Sequence, residues 1–284
     1  MAVRHSAPFM TIRTDIAAPQ TRPSGATSSG GLPPLELSVV VPVHNELDNL
    51  APLIHEVIAT LSGVVPFEII YVDDGSTDGT ARALQQLQLE VPVLRVLRHR
   101  QSSGQSTAIR SGVIAARGRW IATLDGDGQN DPADIPALLT KACSLVAEQG
   151  DERVLVAGWR ISRRDSAYTR WQSRVANGVR SRLLHDGTPD TGCGLKVFSR
   201  SVYLALPYFD HMHRFLPALV QREGGLVESM PVRHRQRTSG ASHYGFLNRA
   251  WAGVVDMAGV LWLRRRARVA EATEVGQSTL TRNS

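Results

Sequence analysis

Residues 37–43 read Leu-Ser-Val-Val-Val-Pro-Val, a short apolar run with many β-branched side chains, and such runs favour buried β-strands. Four similar runs follow, and stretches with helical spacing separate the first four of the five. The predicted strands are 37–43, 67–72, 93–97, 120–124 and 154–158, and the predicted helices are 46–61, 80–89 and 104–116. Apolar strands that alternate with helices are typical of a parallel sheet covered on both faces. The sequence therefore predicts an α/β fold with a Rossmann-like, mostly parallel sheet.

Two of the predicted strands end in acidic loops. Asp73 and Asp74 follow the second strand, and Asp125 and Asp127 follow the fourth. Ligands of such sheets bind at the carboxyl ends of the strands, so we expect the two loops to be neighbours at one edge. Carboxylates that meet there repel one another unless a cation or hydrogen-bond donors neutralise them. Oxygen ligands such as Asp127 and Gln129 suit Mg²⁺ or Mn²⁺, which predicts a metal site; a solvated Asp-Gly turn is the alternative.

The charges of the chain are unevenly distributed. The 284 residues carry a net charge of +6, but residues 1–150 hold 11 basic and 15 acidic side chains, and residues 151–284 hold 21 and 11. An acidic first half and a basic second half indicate a metal site followed by an anionic partner. That partner could be a nucleic acid, a phospholipid surface or a phosphorylated substrate.

Several protein classes are excluded by composition. Cys143 and Cys193 are too few for a disulfide framework, and their surroundings lack zinc-site spacing. No uninterrupted apolar run reaches about 18 residues, and the N-terminus lacks the apolar segment of a signal peptide. We therefore expect a reduced protein in the cytoplasm. Polar, low-complexity composition predicts disordered tails at residues 1–34 and 269–284.

Three motifs at the predicted strand ends carry a family resemblance. They are Val-Pro-Val-His-Asn-Glu at 41–46, Val-Asp-Asp-Gly-Ser-Thr-Asp-Gly-Thr at 72–80 and Asp-Gly-Asp-Gly-Gln-Asn-Asp-Pro at 125–132. In this order they resemble the inverting nucleotide-sugar glycosyltransferases with the GT-A fold. The later segments 190–196, 213–217 and 237–244 resemble the branch that loads a sugar onto polyprenyl phosphate, which includes the dolichol-phosphate mannosyltransferases and undecaprenyl-phosphate glycosyltransferases. The resemblance implies a catalytic domain at 35–245.

The resemblance implies a donor site at the first three motifs. Its nucleotide-binding residues would be Pro42, Asn45, Glu46, Asp73 and Asp125. Asp127 and Gln129 would hold the metal on the pyrophosphate of a GDP- or UDP-linked sugar. Two of these residues also have simpler interpretations, since Asn45 suits a helix N-cap and Glu46 suits the first turn of a helix.

The acceptor implied by the resemblance is a lipid phosphate. Arg160 and Arg174 would bind this phosphate, and Arg237 and Ser242 would belong to a loop that closes over the phosphates. Lys196 is a lesser candidate, because a lysine at a strand edge is usually solvated. His243 stands where the family usually has lysine, which leaves a weaker, pH-dependent charge.

The nucleophile decides which groups the reaction needs. A lipid phosphate oxygen is ionised near neutral pH and needs no general base. Cations must instead hold two anions together and neutralise the leaving nucleoside diphosphate. A related enzyme that glycosylates a hydroxyl would need a base, for which Asp190 is the candidate. A nucleic-acid-binding module is a third interpretation, but no such motif is present, so we expect no nucleic acid partner.

Residues 246–268 predict an amphipathic helix at an anionic membrane surface. Its apolar positions fall at helical spacing on one side: Leu247, Ala250, Trp251, Val254, Ala258, Leu261 and Trp262. Arg249 and Asp256 fall on the other side, and four arginines follow between residues 264 and 268. Tryptophan anchors with a cationic end are typical of helices that lie in the membrane interface. The alternative is a helix packed on the protein's own sheet. The first interpretation predicts a peripheral protein at the cytosolic face of the membrane.

Overall fold

A computed structural model describes residues 34–161, 178, 180–184, 186–235 and 246–268, and for 246–252 it describes the backbone only. Arg174, Arg237, Ser242 and His243 lie outside the described residues, as do nearly all of the two predicted tails.

The described residues form a seven-stranded sheet. Its strands are β1 (Leu37–Val43), β2 (Phe67–Asp73), β3 (Leu94–Arg98), β4 (Trp120–Thr123), β5 (Val154–Arg160), β6 (Lys196–Ser199) and β7 (Leu226–Val232). The order across the sheet is β3-β2-β1-β4-β6-β5-β7. The pairs β1–β2, β1–β4, β2–β3 and β5–β7 are parallel, whereas β6 is antiparallel to both β4 and β5. The predicted fold class is confirmed.

The helices that cover the sheet follow in chain order. They are α1 (Leu50–Leu61), α2 (Thr80–Glu90), α3 (Gln105–Ala115), α4 (Ile135–Gln149), α5 (Arg200–Ala205), α6 (Leu216–Arg222) and α7 (Phe246–Arg266). The first predicted helix starts later than expected, because residues 47–49 form a 3₁₀ turn before Leu50. The other two predicted helices agree with α2 and α3 to within one residue.

Alternating side chains of the strands build one apolar core on each face of the sheet. In β1, Val39 and Val41 point to the core under α1, α2 and α4, and Val40 points to the core under α3, α5 and α6. Full burial of an aliphatic side chain stabilises a fold by about 1.5–3 kcal/mol. Burial on both faces accounts for the near-continuous apolar character of these strands.

Helix α7 packs on the second core with one face. Val260 is fully buried there, and Met257, Leu261 and Leu263 pack beside it. Asp256 Oδ2 lies 3.0 Å from His211 Nδ1, and Arg222 Nε donates to the Leu263 carbonyl at 3.1 Å. The sequence placed Leu261 with Val254 and Trp262 on the side that faces the membrane, and this placement is wrong, because Leu261 packs against the core beside Val260.

The opposite face of α7 is exposed. Val254, Val255 and Trp262 are 52%, 53% and 60% exposed, and Arg265 and Arg266 follow at the exposed end. Among the described helices, none has both the length and the apolar content that crossing a bilayer requires. Helix α7 thus combines a packed face with an exposed apolar face.

Candidate active site

The loop after β4 is a tight turn in which side chains of the loop accept hydrogen bonds from its backbone. The Asp125 N–H donates to Asn130 Oδ1 at 3.0 Å, and the Gln129 N–H donates to Asp127 Oδ1 at 3.1 Å. A side chain at Gly126 would overlap Val43 and come within 3.0 Å of the Pro42 carbonyl oxygen. The glycine thereby lets the acidic loop lie directly against the end of β1, with Asp127 and Gln129 half-buried at its surface.

The surroundings of Asp125 shift the pKa of its carboxylate. Burial, together with the negative charge of Asp127, raises the pKa of Asp125 to about 6. Gln105 Nε2, from the start of α3, donates to Asp125 Oδ1 at 2.8 Å. A Cβ at residue 194 would overlap the Asp125 carboxylate, so a larger residue there would displace that side chain. Asp125 is thus fixed between α3 and the segment before β6.

A pocket of about 380 Å³ opens beside Asp125 at the carboxyl end of β4. Its polar lining includes Gln105, Asp125, Arg160, Lys196 and His213. The acidic residue comes from the first half of the chain and the cations come from the second, in line with the uneven distribution of charge. The pocket therefore brings two of the predicted acceptor residues, Arg160 and Lys196, next to a predicted donor residue.

Arg160 is held in the pocket by Asp190. Arg160 Nε donates to Asp190 Oδ2 at 2.6 Å, and Nη2 donates to Oδ1 at 2.8 Å; the two side chains are only 12% and 7% exposed. Burial alone would lower the pKa of Arg160, but the hydrogen bonds and charge of Asp190 raise it. Such a two-point pair fixes both the position and the charge of the guanidinium.

Lys196 is not a solvated strand-edge lysine, and that expectation is wrong. It is 3% exposed, because β6 inserts between β4 and β5 and brings the lysine into the interior of the sheet. Its ammonium donates to the Cys193 carbonyl. Burial lowers the pKa of Lys196. Its neighbours in the pocket include Asp125 and Arg160.

His213 is a pocket residue for which the sequence indicated no role. The ring Nδ1 of His213 is 2.7 Å from Ser106 Oγ, and the backbone N–H of His213 donates to the same oxygen at 3.3 Å. Burial lowers the pKa of the imidazole well below its usual value, so the ring is neutral at pH 7. The segment 213–217 was the available signal, since it carries part of the family resemblance.

The two acidic loops are not neighbours, contrary to expectation. Both β2 and β4 pair with β1, so β1 separates them. Asp74 instead holds the loop between β3 and α3: it accepts hydrogen bonds from Ser102 Oγ and from the N–H groups of Ser103 and Gly104, and contacts His99 at 2.6 Å. Asp73 is fully buried; Oδ1 accepts from the Ser76 N–H at 2.9 Å, and Oδ2 lies 3.2 Å from Arg98 Nε.

The predicted nucleotide-binding residues of the first motif lie between β1 and the loop after β2. Asn45 has a left-handed φ of 57°, and its Oδ1 accepts from the Thr77 N–H at 2.8 Å. Asn45 is not an N-cap, because α1 is preceded by Asn49. Asn49 donates to Glu46 Oε2 at 2.6 Å, and Pro42 is buried within β1.

The segment after β7 is tied to the loop after β4. The Arg235 N–H donates to the Gln129 carbonyl at 2.9 Å, and Asn130 pairs with His234 in an isolated bridge. Arg235 also forms ion pairs with Asp131 and Glu56 at 2.9 and 2.6 Å. The chain therefore leaves the described segment, two residues before Arg237, right beside the acidic loop.

The acidic loop suits a divalent cation that also binds a substrate. Within the described ranges no three His, Cys, Asp or Glu side chains converge as a protein-only cage. Magnesium sites that use one or two carboxylates together with substrate phosphates do not need such a cage. Burial of Asp125 and the negative charge of Asp127 raise the pKa of Asp125, and the positive charges of Lys196 and Arg160 offset only part of this effect. Asp127 and Gln129 therefore fit Mg²⁺ or Mn²⁺.

A comparison with protein families gives this site its context. Residues 38–206, which include β1 to β6 and the acidic loop, match the model of Glycosyl transferase family 2. The chain belongs to glycosyl transferase family 2. The predicted family and enzyme class, a glycosyltransferase, are confirmed.

Curated relatives in this family act on lipid-linked substrates by name. The chain is 37% identical over 239 residues to the dodecaprenyl-phosphate galacturonate synthase of Rhizobium johnstonii, covering 81% of this chain and 68% of the relative. It is 35% identical over 214 residues to the undecaprenyl-phosphate 4-deoxy-4-formamido-L-arabinose transferase of Edwardsiella ictaluri, covering 74% of this chain and 63% of the relative. The chain thus spans about two thirds of the length of these relatives.

Solved structures confirm the glycosyltransferase fold. The mannosyltransferase of Pyrobaculum calidifontis, in complex with GDP-Man and Mn²⁺, superposes with a TM-score of 0.60 at 17% identity, covering 84% of this chain and 68% of that one. Glucosyl-3-phosphoglycerate synthase of Mycobacterium tuberculosis, with Mn²⁺, UDP-glucose and glycerol 3-phosphate, gives a TM-score of 0.59 at 19% identity, covering 84% and 82%. At such identities the likeness concerns the fold.

Proposed function

We propose that this family 2 enzyme transfers a sugar from a nucleoside diphosphate to a polyprenyl phosphate, with inversion at the anomeric carbon. The observation that carries the proposal is the pocket, where Asp125 lies beside the half-buried Arg160 and the buried Lys196. A pocket with cations at this place suits a second anion beside the donor diphosphate. The names of the two relatives, which are both polyprenyl-phosphate sugar transferases, support the same acceptor class.

The donor would bind across the ends of β1 and β4. Asp127 and Gln129 would hold Mg²⁺ or Mn²⁺, which neutralises the charge of the diphosphate when it is bound. Asn45, Glu46 and Asp73 would lie on the nucleotide side. The names of the relatives leave the sugar open, because one handles galacturonate and the other a formamido sugar.

The acceptor phosphate would lie at Arg160. An oxygen of this phosphate attacks the anomeric carbon, while the bond from that carbon to the diphosphate oxygen breaks and its electron pair leaves on the nucleoside diphosphate. The nucleophile is already ionised, so no proton is removed in the step. Arg160 would orient it, and Arg174, Arg237 and Ser242, outside the described residues, are the remaining candidates for the phosphates.

A hydroxyl acceptor is less well supported. That reaction needs a base with an oxygen free to take the proton, and Asp190 is the sequence candidate. Both oxygens of Asp190 accept hydrogen bonds from Arg160, which stabilises the ionised carboxylate and makes it a poor proton acceptor. The pair favours a phosphate acceptor over a hydroxyl.

The exposed face of α7 would lie on an anionic membrane surface, where the lipid acceptor resides. Val254, Val255 and Trp262 offer apolar contact, and Arg265, Arg266 and Arg268 offer charge. Each arginine near such a surface contributes about 1 kcal/mol. The protein would then act as a peripheral enzyme at the cytosolic face.

Transfer with purified protein tests the proposal. Short-chain polyprenyl phosphate, Mg²⁺ or Mn²⁺ and a panel of UDP- and GDP-linked sugars are incubated, and release of nucleoside diphosphate is scored with the lipid product. We expect release that depends on the lipid phosphate. Equal release with the matched polyprenyl alcohol would instead favour the hydroxyl acceptor.

A further inference from the structure

Lys196 is a buried cation whose partners are poorly matched to its charge. Its side chain is 3% exposed, and its hydrogen bond goes to the neutral Cys193 carbonyl. Among the described residues no carboxylate forms an ion pair with its ammonium, although Asp125 and Asp190 act on it from longer distances. Buried lysines are rare unless they are paired, because a charge loses its hydration in the interior.

Arg160, the half-buried cation of the same pocket, has a partner that matches its charge. Arg160 has both carboxylate oxygens of Asp190 at 2.6 and 2.8 Å. Among the described residues Lys196 has no such carboxylate partner, yet it lines the same pocket. An anionic group of a ligand would supply the missing charge, and low solvent access would strengthen that interaction.

The sheet order indicates which part of the substrate meets Lys196. Asp125 follows β4, Lys196 begins β6 and Arg160 ends β5, and β6 lies between the other two strands. Neighbouring strands are about 4.8 Å apart. If the donor diphosphate lies at the loop after β4 and the acceptor phosphate at Arg160, as proposed above, the group between them is the sugar that passes from one to the other.

We infer that Lys196 binds a carboxylate carried by the donor sugar, so that the enzyme prefers uronic acids to neutral hexoses. This inference rests on the proposed function for the direction of the donor. The neutral ring of His213, in the same pocket, would serve hydroxyl groups rather than the charge. A neutral hexose would leave the ammonium buried without an anion, and this is the source of the preference.

Donor binding measures the preference without relying on transfer. Two pairs of ligands differ only in the carboxylate: UDP-galacturonic acid against UDP-galactose, and GDP-mannuronic acid against GDP-mannose. Their dissociation constants are measured by calorimetry with Mn²⁺ for the full chain. We expect the uronic acid of at least one pair to bind about ten- to a hundredfold more tightly, the range for a charge-assisted hydrogen bond.

Variants test whether Lys196 is the source of the preference. Lys196→Met and Lys196→Gln should each bring the ratio of affinities close to one, and Lys196→Arg should keep it. Because the ratio is taken within one preparation, it does not depend on the fraction that is folded. Lys141→Met is the matched control, since Lys141, on α4, is the other lysine of the chain and pairs with Glu228 of β7 at 3.0 Å.

Each outcome decides between the inference and the proposed function. A wild-type ratio near one in both pairs would overturn the inference, as would a ratio that survives Lys196→Met. If Lys196→Met instead raises the KM for polyprenyl phosphate and leaves the donor ratio intact, the lysine belongs to the acceptor site. A preference in binding without any transfer to polyprenyl phosphate would overturn the proposed function and retain the inference.

Discussion

Asp127 is the residue on which the metal assignment depends. Its carboxylate accepts a hydrogen bond from the Gln129 N–H but belongs to no apolar core, so its replacement creates no cavity. We expect Asp127→Ala to lower transfer by at least about a hundredfold and to leave the melting temperature unchanged or higher, because it removes repulsion from Asp125. Manganese binding, followed by the electron paramagnetic resonance of the free ion, should weaken in parallel. Asp48→Ala, at an exposed acid of a 3₁₀ turn, is the control. Near-normal turnover of Asp127→Ala contradicts the assignment.

Arg160 and Asp190 form an ion pair, and variants of the two residues distinguish a role in folding from a role in catalysis. Arg160→Ala leaves a buried carboxylate without its partner, and such a loss costs about 3–5 kcal/mol. Acceptor kcat/KM should fall about ten- to a hundredfold with donor affinity unchanged. In the double variant Arg160→Ala/Asp190→Asn, stability should largely return in urea denaturation, whereas transfer should not. Recovery of transfer in the double variant would show that Arg160 acts only on stability.

At the residue scale, the sequence predicts best the residues whose position in the fold depends on their immediate neighbours in the chain. Asp125 and Asp127 follow an apolar strand directly, so their place at a strand end could be read from the chain. Lys196 and His213 could not be placed, because their burial depends on residues far away in sequence. Lys196 lies in the strand that pairs with β4, and His213 contacts Ser106. The residues next to Lys196 and His213 in the sequence predict neither contact.

Among the elements, the loop that leads into α3 depends on Asp74. Burial would raise the pKa of Asp74, but the hydrogen bonds from His99, Ser103, Ser102 and Gly104 together lower it. A lowered pKa means that the ionised form stabilises the fold above about pH 4 and that this stabilisation is lost as the pH falls through the native-state pKa. Asp74→Asn should cost about 1–3 kcal/mol at pH 7. The cost should shrink below pH 4 in thermal unfolding, and a cost independent of pH would contradict this account.

Helix α7 has a packed face and an exposed face, and substitutions on each face test packing and membrane contact separately. Val260→Ala removes a fully buried side chain and should cost about 2 kcal/mol of unfolding free energy. Trp262→Ala, at a 60% exposed position, should change stability by less than about 0.5 kcal/mol and should weaken sedimentation with anionic liposomes. Loss of stability in Trp262→Ala with unchanged sedimentation would show that this tryptophan serves packing.

The elements that the sequence predicted are those with a complete local signal. Strands β1 to β5 and helices α1 to α3 have apolar runs or helical spacing between clear breaks. Strand β6 has four residues, one of them the buried Lys196, and its antiparallel direction follows from the chain path rather than from composition. The sequence predicts the arginine-rich end of α7, but it does not predict which face of the helix packs on the core. Met257 and Val260 are apolar, and an apolar face suits both packing on the core and contact with a membrane.

Over the whole molecule, the separation of charge predicts how the enzyme meets a membrane. The second half of the chain holds 21 basic and 11 acidic residues, and the exposed arginines after Trp262 lie beside the apolar face of α7. Raising the salt from about 0.1 to 1 M shortens the Debye length from about 10 to 3 Å. Sedimentation with anionic vesicles should therefore weaken at high salt, and vesicles of zwitterionic lipid should bind less at any salt. Sedimentation that is unchanged by both salt and lipid charge would show that apolar contacts alone bind the protein to the membrane.

The position of β6 also has a consequence for synthesis on the ribosome. Strand β4 ends at Thr123, yet the strand that pairs with its free edge ends at Ser199, so that edge stays open while about 75 further residues are made. Pairings between distant segments form slowly, and open strand edges invite association with other chains. A nascent chain stalled before residue 196 would hold the acidic loop and still lack the pocket wall. The pocket would then gain Lys196 only after the acidic loop and Arg160 have been made, and chaperone capture of stalled chains should drop sharply once β6 has emerged.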